Sequence, residues 1–402
     1  MNGIIRKGVI SQGIRTPVIQ PGDDLKRIVI DSVARVTGNQ FEDGDIVGIT
    51  EAVVAISQAN FVTHKEIGED IMRKFEGASE IVLVDPIQSR NRFMDVLKAI
   101  AAVPTIKRVY IAMTYPTDEV GNRFIDDITI MRSGINLYQD ILTAEEFYEK
   151  FGTPRHPFTG KNYIAEYDNA CEVEDAETGV KTKKAFVILC NNFGKLPEYC
   201  NCKDFLVCSI HRRAQTKEIL AESGAERVYD LSEIMTESID GSGYNDKFGL
   251  YGSNLMSGNR LKLMPRDCQH FVEDLQATVL AEYGKHIEVF VYGDGAFKDP
   301  VGGIWELADP TTTLGATSGL AGTPKEVKLK YLASANEGKT AEEIEAIVAA
   351  ESAKRKSTED VTGEASLGTT PRQITDLLAS LADLTTGSGD RQTPVVLIKN
   401  YL

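Results

Sequence analysis

The residues with the most chemical potential fall in three groups. Asp294 follows the apolar run 289–292 and precedes Gly295. A strand ending there would present its carboxylate to a cleft, although an Asp before Gly also commonly caps a turn. Downstream lie Asp299, Glu306 and Asp309, flanking Trp305. These hard oxygen donors would either complete a divalent-cation site or form a polar loop. The third group is Cys190, Cys200, Cys202 and Cys208, with His211 just beyond. Thiolate and imidazole are the usual zinc ligands. The spacing is not that of paired CxxC motifs, and Cys190 and Cys208 each lie in an apolar run, so buried reduced thiols are the expectation.

Other catalytic patterns are missing. None of the five histidines (64, 156, 211, 270, 286) accompanies a GxSxG elbow. No GxGxxG follows a strand in 78–238, and no GxxxxGK[ST] occurs in the chain.

The elements that must position these residues divide the chain into three stretches. Residues 1–77 begin with a strand-like segment at 3–10, then a Pro21-Gly22 turn and an Asp23 or Asp24 cap. Leu25, Ile28, Ile30, Val33 and Val36 recur near helical spacing. The runs 46–49 and 53–56 follow, the first reading as a buried strand. Residues 78–238 alternate short apolar strands (81–84, 109–112, 185–189, 205–208) with amphipathic helices (92–102, 214–223). That rhythm predicts a mostly parallel sheet covered on both faces, an α/β domain of its own. Residues 239–402 open on a glycine-rich stretch containing Gly252, Ser253 and Asn254. A helix at 265–283, the strand 287–292, an exposed helix within 337–368, a helix at 371–384 and the strand 394–398 complete the pattern.

The bulk numbers bound the class. The chain has 402 residues, 42% hydrophobic and 26% charged, enough for two or three globular domains. Its formal charge of −15 repels phosphate backbones, so no nucleic-acid partner is expected. No apolar run approaches the roughly 20 residues of a membrane span, so no membrane partner is expected either. Arg6, Lys7 and Arg15 interrupt any leader-like pattern, and a cytoplasmic location is the expectation.

Four stretches together resemble the coenzyme F-420-0:L-glutamate ligase (F-420 gamma-glutamyl ligase) family. They are Gly13-Ile14-Arg15-Thr16-Pro17 with Pro21-Gly22-Asp23-Asp24-Leu25; Glu42-Asp43-Gly44-Asp45-Ile46-Val47 with Thr50 and Val53-Val54; Gly252-Ser253-Asn254-Leu255 through Val291-Tyr292-Gly293-Asp294; and residues 374–398, with Thr393-Pro394-Val395-Val396-Leu397-Ile398. Their order is the family's, and they cover about half the chain. The resemblance implies an α+β ligase domain, written in 1–77 and 239–402, with an inserted α/β domain at 78–238.

The resemblance also implies a reaction. GTP or ATP phosphorylates a substrate carboxylate, and the amine of L-glutamate displaces the phosphate to form a γ-glutamyl amide. Mg²⁺ or Mn²⁺ bridges the phosphates, so carboxylates are required. Asp294 falls on the family's metal-binding Asp, with Glu306 and Asp309 as further metal candidates. Gly252, Ser253 and Asn254 match a stretch expected to touch nucleotide or glutamate. No catalytic side chain is assigned, and a homodimer is implied.

Departures alter the site. Tyr251 stands where the family carries an Asp, Gly295 where it carries Thr, and no lysine occupies 51–58. His211, Arg212 and Arg213 are the expected replacement cations. The alternative function is a non-catalytic nucleotide- or metabolite-binding protein on the same scaffold.

Overall fold

The computed structural model describes residues 8–88, 92–119, 121–157, 159–174, 178–293, 297–298, 305–306, 311–323, 327–356, 373–386 and 392–402, with backbone only for 92, 297–298, 305–306 and 352–356. The chain forms a mixed α/β structure around two main sheets. Among the described residues no helix is long and apolar enough to cross a membrane.

The first sheet has five strands in the order Ile10–Ile14, Val395–Lys399, Ile46–Thr50, Glu288–Tyr292, Thr313–Ala316. All neighbours are antiparallel except Ile46–Thr50 and Glu288–Tyr292, which pair in parallel with Val47 opposite Val289 and Thr50 opposite Tyr292. The central strands are apolar at nearly every position because both faces are covered. The pleat sends Val47, Ile49, Val289, Val291, Val395 and Leu397 to one face. There they pack on the helices Leu25–Thr37 and Cys268–Tyr283. Ile46, Phe290, Tyr292, Val396 and Ile398 point to the other face, under the helix Ile374–Thr386.

The first helix has legible ends. The Asp24 carboxylate accepts from Arg27 N at 3.0 Å, and Gly38 closes the helix in the left-handed region.

The second sheet has six strands in the order Arg227–Asp230, Asp204–Val207, Glu80–Val84, Arg108–Met113, Ala185–Leu189, Leu142–Thr143. The first five are parallel, and the short last one is antiparallel. Chain order runs outward from Glu80–Val84 to one side, then returns to place Asp204–Val207 on its other side. The crevice between these two strands is therefore the switch point of a doubly wound sheet.

The first sheet draws on both ends of the chain, the second only on residues 80–230. Apolar packing nevertheless continues across residues 77/78 and 238/239. Ile67, Ile71 and Phe75 of the helix His64–Lys74, together with Tyr251, Leu261 and Met264, share one core with Leu83, Leu97 and Ile111.

A three-stranded antiparallel sheet, Asn254–Met256, Arg260–Lys262 and Phe61–Thr63, ties the units together. It is not evident in the periodicity of the sequence, because its strands are three residues each. Three other readings shift. The opening strand is Ile10–Ile14 rather than 3–10, since its partner is 395–399 and not a local neighbour. The run 53–56 lies inside the helix Glu51–Ser57, and the helix read at 265–283 starts at Cys268.

Gly48 is where the first sheet tolerates least. It lies opposite Phe290, and a Cβ there would fall 2.6 Å from Phe290 Cζ. Gly48→Ala is expected to destabilise the protein by about 1–3 kcal/mol, read as a lower urea midpoint. Combining it with Phe290→Leu should cost less than the two changes summed, because the ring is what the added methyl meets.

Candidate active site

A cleft of about 470 Å³ opens at the carboxyl ends of the parallel pair Ile46–Thr50 and Glu288–Tyr292. Thr50 and Glu51 line it from one strand end, Tyr292 and Gly293 from the other. Thr16 to Ile19 form one wall, Asp383 and Thr386 of the helix Ile374–Thr386 another, and Thr393 and Pro394 close it. Asn254 reaches in from the three-stranded sheet. Every one of the four stretches singled out in the sequence contributes lining, although they lie hundreds of residues apart.

Two local devices hold the lining in place. Gln58 donates from Nε2 to Arg266 O at 2.8 Å and accepts from Arg266 N at 2.9 Å, locking the helix Glu51–Ser57 to the segment after the hairpin. Asn60 Nδ2 donates to Met264 O at 2.7 Å, fixing the same hairpin from the strand side.

The cleft's strongest electrostatic feature is an ion pair that the sequence did not announce. Lys262 Nζ lies 2.5 Å from both Glu51 carboxylate oxygens, and both side chains are under 10% exposed. Glu51 lines the cleft, while Lys262 sits behind it, opposite Asn254 in the hairpin register. A cation is thus present beside residues 51–58 after all, delivered from 211 positions away. No local motif could reveal it.

The cleft also holds an unsatisfied group. Thr393 Oγ1 is buried without a hydrogen-bond partner, and such atoms in native structures usually await a ligand or water. Opposite it, Tyr292 keeps its hydroxyl 3.4 Å from Thr386 Oγ1, and burial raises its pKa.

Asp294, Asp309 and the Glu306 side chain lie outside the described residues; Asp294 follows the cleft residue Gly293 directly in sequence. Among the described residues no three His, Cys, Asp or Glu side chains converge on a metal-sized point. The carboxylates of Glu51 and Asp383 are oxygen donors of the kind that suits Mg²⁺ or Mn²⁺. Of the glycine-rich stretch, only Asn254 reaches the cleft. Gly252 has φ 67°, and a Cβ there would lie 2.1 Å from Met264 Cε, so it serves a packed turn. Ser253 is 2% exposed behind it.

Tyr251 does not stand in for a cleft carboxylate. It is buried against the six-stranded sheet, where its hydroxyl donates to Ser209 O at 2.6 Å. The expected replacement cations are engaged there as well. Arg212 Nη2 contacts both Asp85 oxygens at 2.8 and 2.7 Å, and the Arg213 guanidinium lies 5.5 Å from the Tyr251 ring. Neither arginine lines the cleft, and that expectation is corrected.

The four cysteines divide between the two faces of the six-stranded sheet. Cys190, Cys200 and Cys202 lie in one core and Cys208 in the other. Burial pushes the thiols up, Cys190 to about 11 and Cys200 to about 12, which keeps them protonated.

A family model described as F420-0:Gamma-glutamyl ligase matches residues 13–400. That span takes in all four cleft-forming stretches and the segment 78–238 between them. A comparison with curated proteins gives no match.

Breaking the buried pair from one side strands a charge. Lys262→Met is expected to cost about 3–5 kcal/mol in urea denaturation, whereas Glu51→Leu/Lys262→Met should recover most of the loss.

Proposed function

The chain belongs to the F420-0:γ-glutamyl ligase family, and from that premise we propose that the cleft joins the amine of L-glutamate to a substrate carboxylate. The observation carrying this reading is convergence. Four stretches that resemble the family in sequence supply the walls of one cleft at the carboxyl ends of its central parallel strands.

In the proposed sequence, a carboxylate oxygen of the acceptor attacks the γ-phosphorus of GTP or ATP. The bond to the leaving diphosphate breaks, and an acyl phosphate forms. The glutamate amine then attacks the acyl carbon, phosphate leaves with the carbon–oxygen bond, and the amine's extra proton passes to solvent. When bound, Mg²⁺ or Mn²⁺ supplies charge compensation for the phosphate oxygens. Asp294, at the end of its strand, is the proposed principal ligand, with Asp383 on the facing helix and Glu306 and Asp309 as further donors. Asn254 orients nucleotide or glutamate from the hairpin. The Thr393 hydroxyl, without a partner inside the protein, is free to donate to a bound oxygen. Lys262 holds Glu51 ionised and fixed in direction at the cleft wall.

The acceptor follows from the altered wall. With Tyr251 turned away, the cleft has one carboxylate fewer than the family pattern, so an acceptor differing from coenzyme F-420 suits it. A cytoplasmic homodimer accompanies this reading as part of the proposal.

The test is phosphate release from GTP and from ATP with Mn²⁺ or Mg²⁺, L-glutamate and a panel of carboxylate acceptors. Release is expected only when glutamate and one acceptor are both present. Asp294→Asn should lower kcat by at least about 100-fold. Nucleotide binding without turnover on any acceptor would favour the non-catalytic reading, for which the displaced Tyr251 is the supporting observation.

A further inference from the structure

The six-stranded sheet carries a second concentration of polar groups, distant from the cleft in chemistry and in fold. Among the described residues, eight buried side-chain polar atoms have no hydrogen-bond partner. One is Thr393 Oγ1 at the cleft. The other seven belong to residues of the α/β unit between Gln88 and Ser209. Native proteins leave few such atoms, and a cluster of them marks a place where something else is bound.

The cluster has a definite location. Asp85 follows the strand Glu80–Val84, Thr114 follows Arg108–Met113, and Ser209 follows Asp204–Val207. These are the carboxyl ends of three neighbouring parallel strands, and the switch point lies between two of them. Ligands of doubly wound sheets enter at that crevice.

Part of the cluster is already accounted for. A void of about 20 Å³ lined by Gln88, His156 and Tyr163 has room for about one water. Asp118 is saturated, accepting from Asn122 N at 2.7 Å and Asn122 Nδ2 at 2.9 Å, with His156 Nε2 at 3.0 Å. Asp85 holds Arg212. What remains is Glu119 Oε2, Ser209 Oγ, Thr114 Oγ1 and the Tyr167 hydroxyl. Ser209, Thr114 and Tyr167 are 0%, 6% and 1% exposed.

These four atoms define the ligand's chemistry. Glu119 Oε1 accepts from Ile210 N at 2.9 Å, leaving Oε2 as an acceptor with no donor. Hydroxyls adapt to either role, so the one fixed demand is for a donor, best a charged one, facing Glu119. An ammonium group, with three N–H donors, meets it. Arg212 uses only Nη2 on Asp85, and its side chain is 43% exposed, which leaves a cation facing solvent beside the crevice. No three metal-ligating side chains converge among the described residues, which argues for an amine rather than a metal ion.

We propose that the carboxyl edge of the six-stranded sheet is a second binding site, taking a small amino-acid zwitterion with its ammonium on Glu119 and its carboxylate toward Arg212. The site is independent of the cleft reading. Tyr251 joins the two units there, since its hydroxyl is bonded to the carbonyl of Ser209.

Protonation supplies a distinctive readout. Burial, and next the Asp85 charge, raise the Glu119 carboxyl to about 8. The groups facing it include Asp85, Arg212 and Tyr251, with the Ile210 and His211 amides directed at Oε1. At pH 7 the free protein therefore holds a proton on Glu119 that an incoming ammonium displaces.

The experiment is calorimetric titration of the full chain at pH 7 with the twenty common L-amino acids, ethanolamine and acetate, in buffers of different ionisation enthalpy. At least one amino acid is expected to bind more tightly than ethanolamine or acetate, releasing about one proton per site. Glu119→Gln should weaken binding by at least about tenfold and abolish the proton release, and Ser209→Ala should weaken it several-fold. Asp294→Asn, at the other site, should leave binding unchanged. The proposal is overturned if no amino acid binds. It is also overturned if affinity and proton release survive Glu119→Gln, or if binding responds to Asp294→Asn instead. An unchanged melting temperature in Ser209→Ala guards against misreading a folding defect.

Discussion

The parallel pairing of Ile46–Thr50 with Glu288–Tyr292 is the constraint from which the cleft follows. Parallel neighbours cannot be joined by a tight turn, so the chain between them must leave the sheet and return. Here the excursion is long enough to build an entire second sheet before it comes back. The register, Thr50 opposite Tyr292, sets two strand ends side by side. Whatever follows each strand is then forced to the same place: Glu51 on one side, Gly293 and Asp294 on the other. The antiparallel strand Val395–Lys399 fills in beside Ile46–Thr50 and brings Thr393 and Pro394 to the same edge.

The second sheet is not a passive appendage to this arrangement. The helix His64–Lys74 and the hairpin residues Leu261 and Met264 are packed into its core. The same hairpin carries Asn254 and Lys262 to the cleft. Movement of the second sheet is therefore transmitted to the cleft wall through three short strands. Tyr251 is the other connection. In place of a carboxylate in the cleft, it offers a ring to the core and a hydroxyl to the carbonyl of Ser209. One substitution thus removes a charge from one site and adds a bond at the edge of another.

Much of the local structure was legible because its signals are local. Alternating apolar residues at 395–398 and the unbroken run at 81–84 each reported burial by period or by continuity. Asp24 and Gly38 marked the ends of the first helix. The three-residue strands of the hairpin gave no such signal, since three residues cannot establish a period. Arg212 and Arg213 were read as cations available to the cleft, because sequence shows a charge but not its partner. The partners, Asp85 and Tyr251, lie 127 and 38 positions away.

The sequence by itself determined which segments become strands and helices, that both sheets are covered on two faces, and which family the ends of the chain resemble. These depend on spacing over a few residues, which hydrophobic burial reads directly. Only the tertiary structure decided that Lys262 stands behind Glu51, that Tyr251 faces the second sheet, and that seven unpartnered polar atoms belong to one unit. Electrostatic and hydrogen-bond partners are chosen by distance in space, and a charge 211 positions away becomes a neighbour only once the sheets have formed.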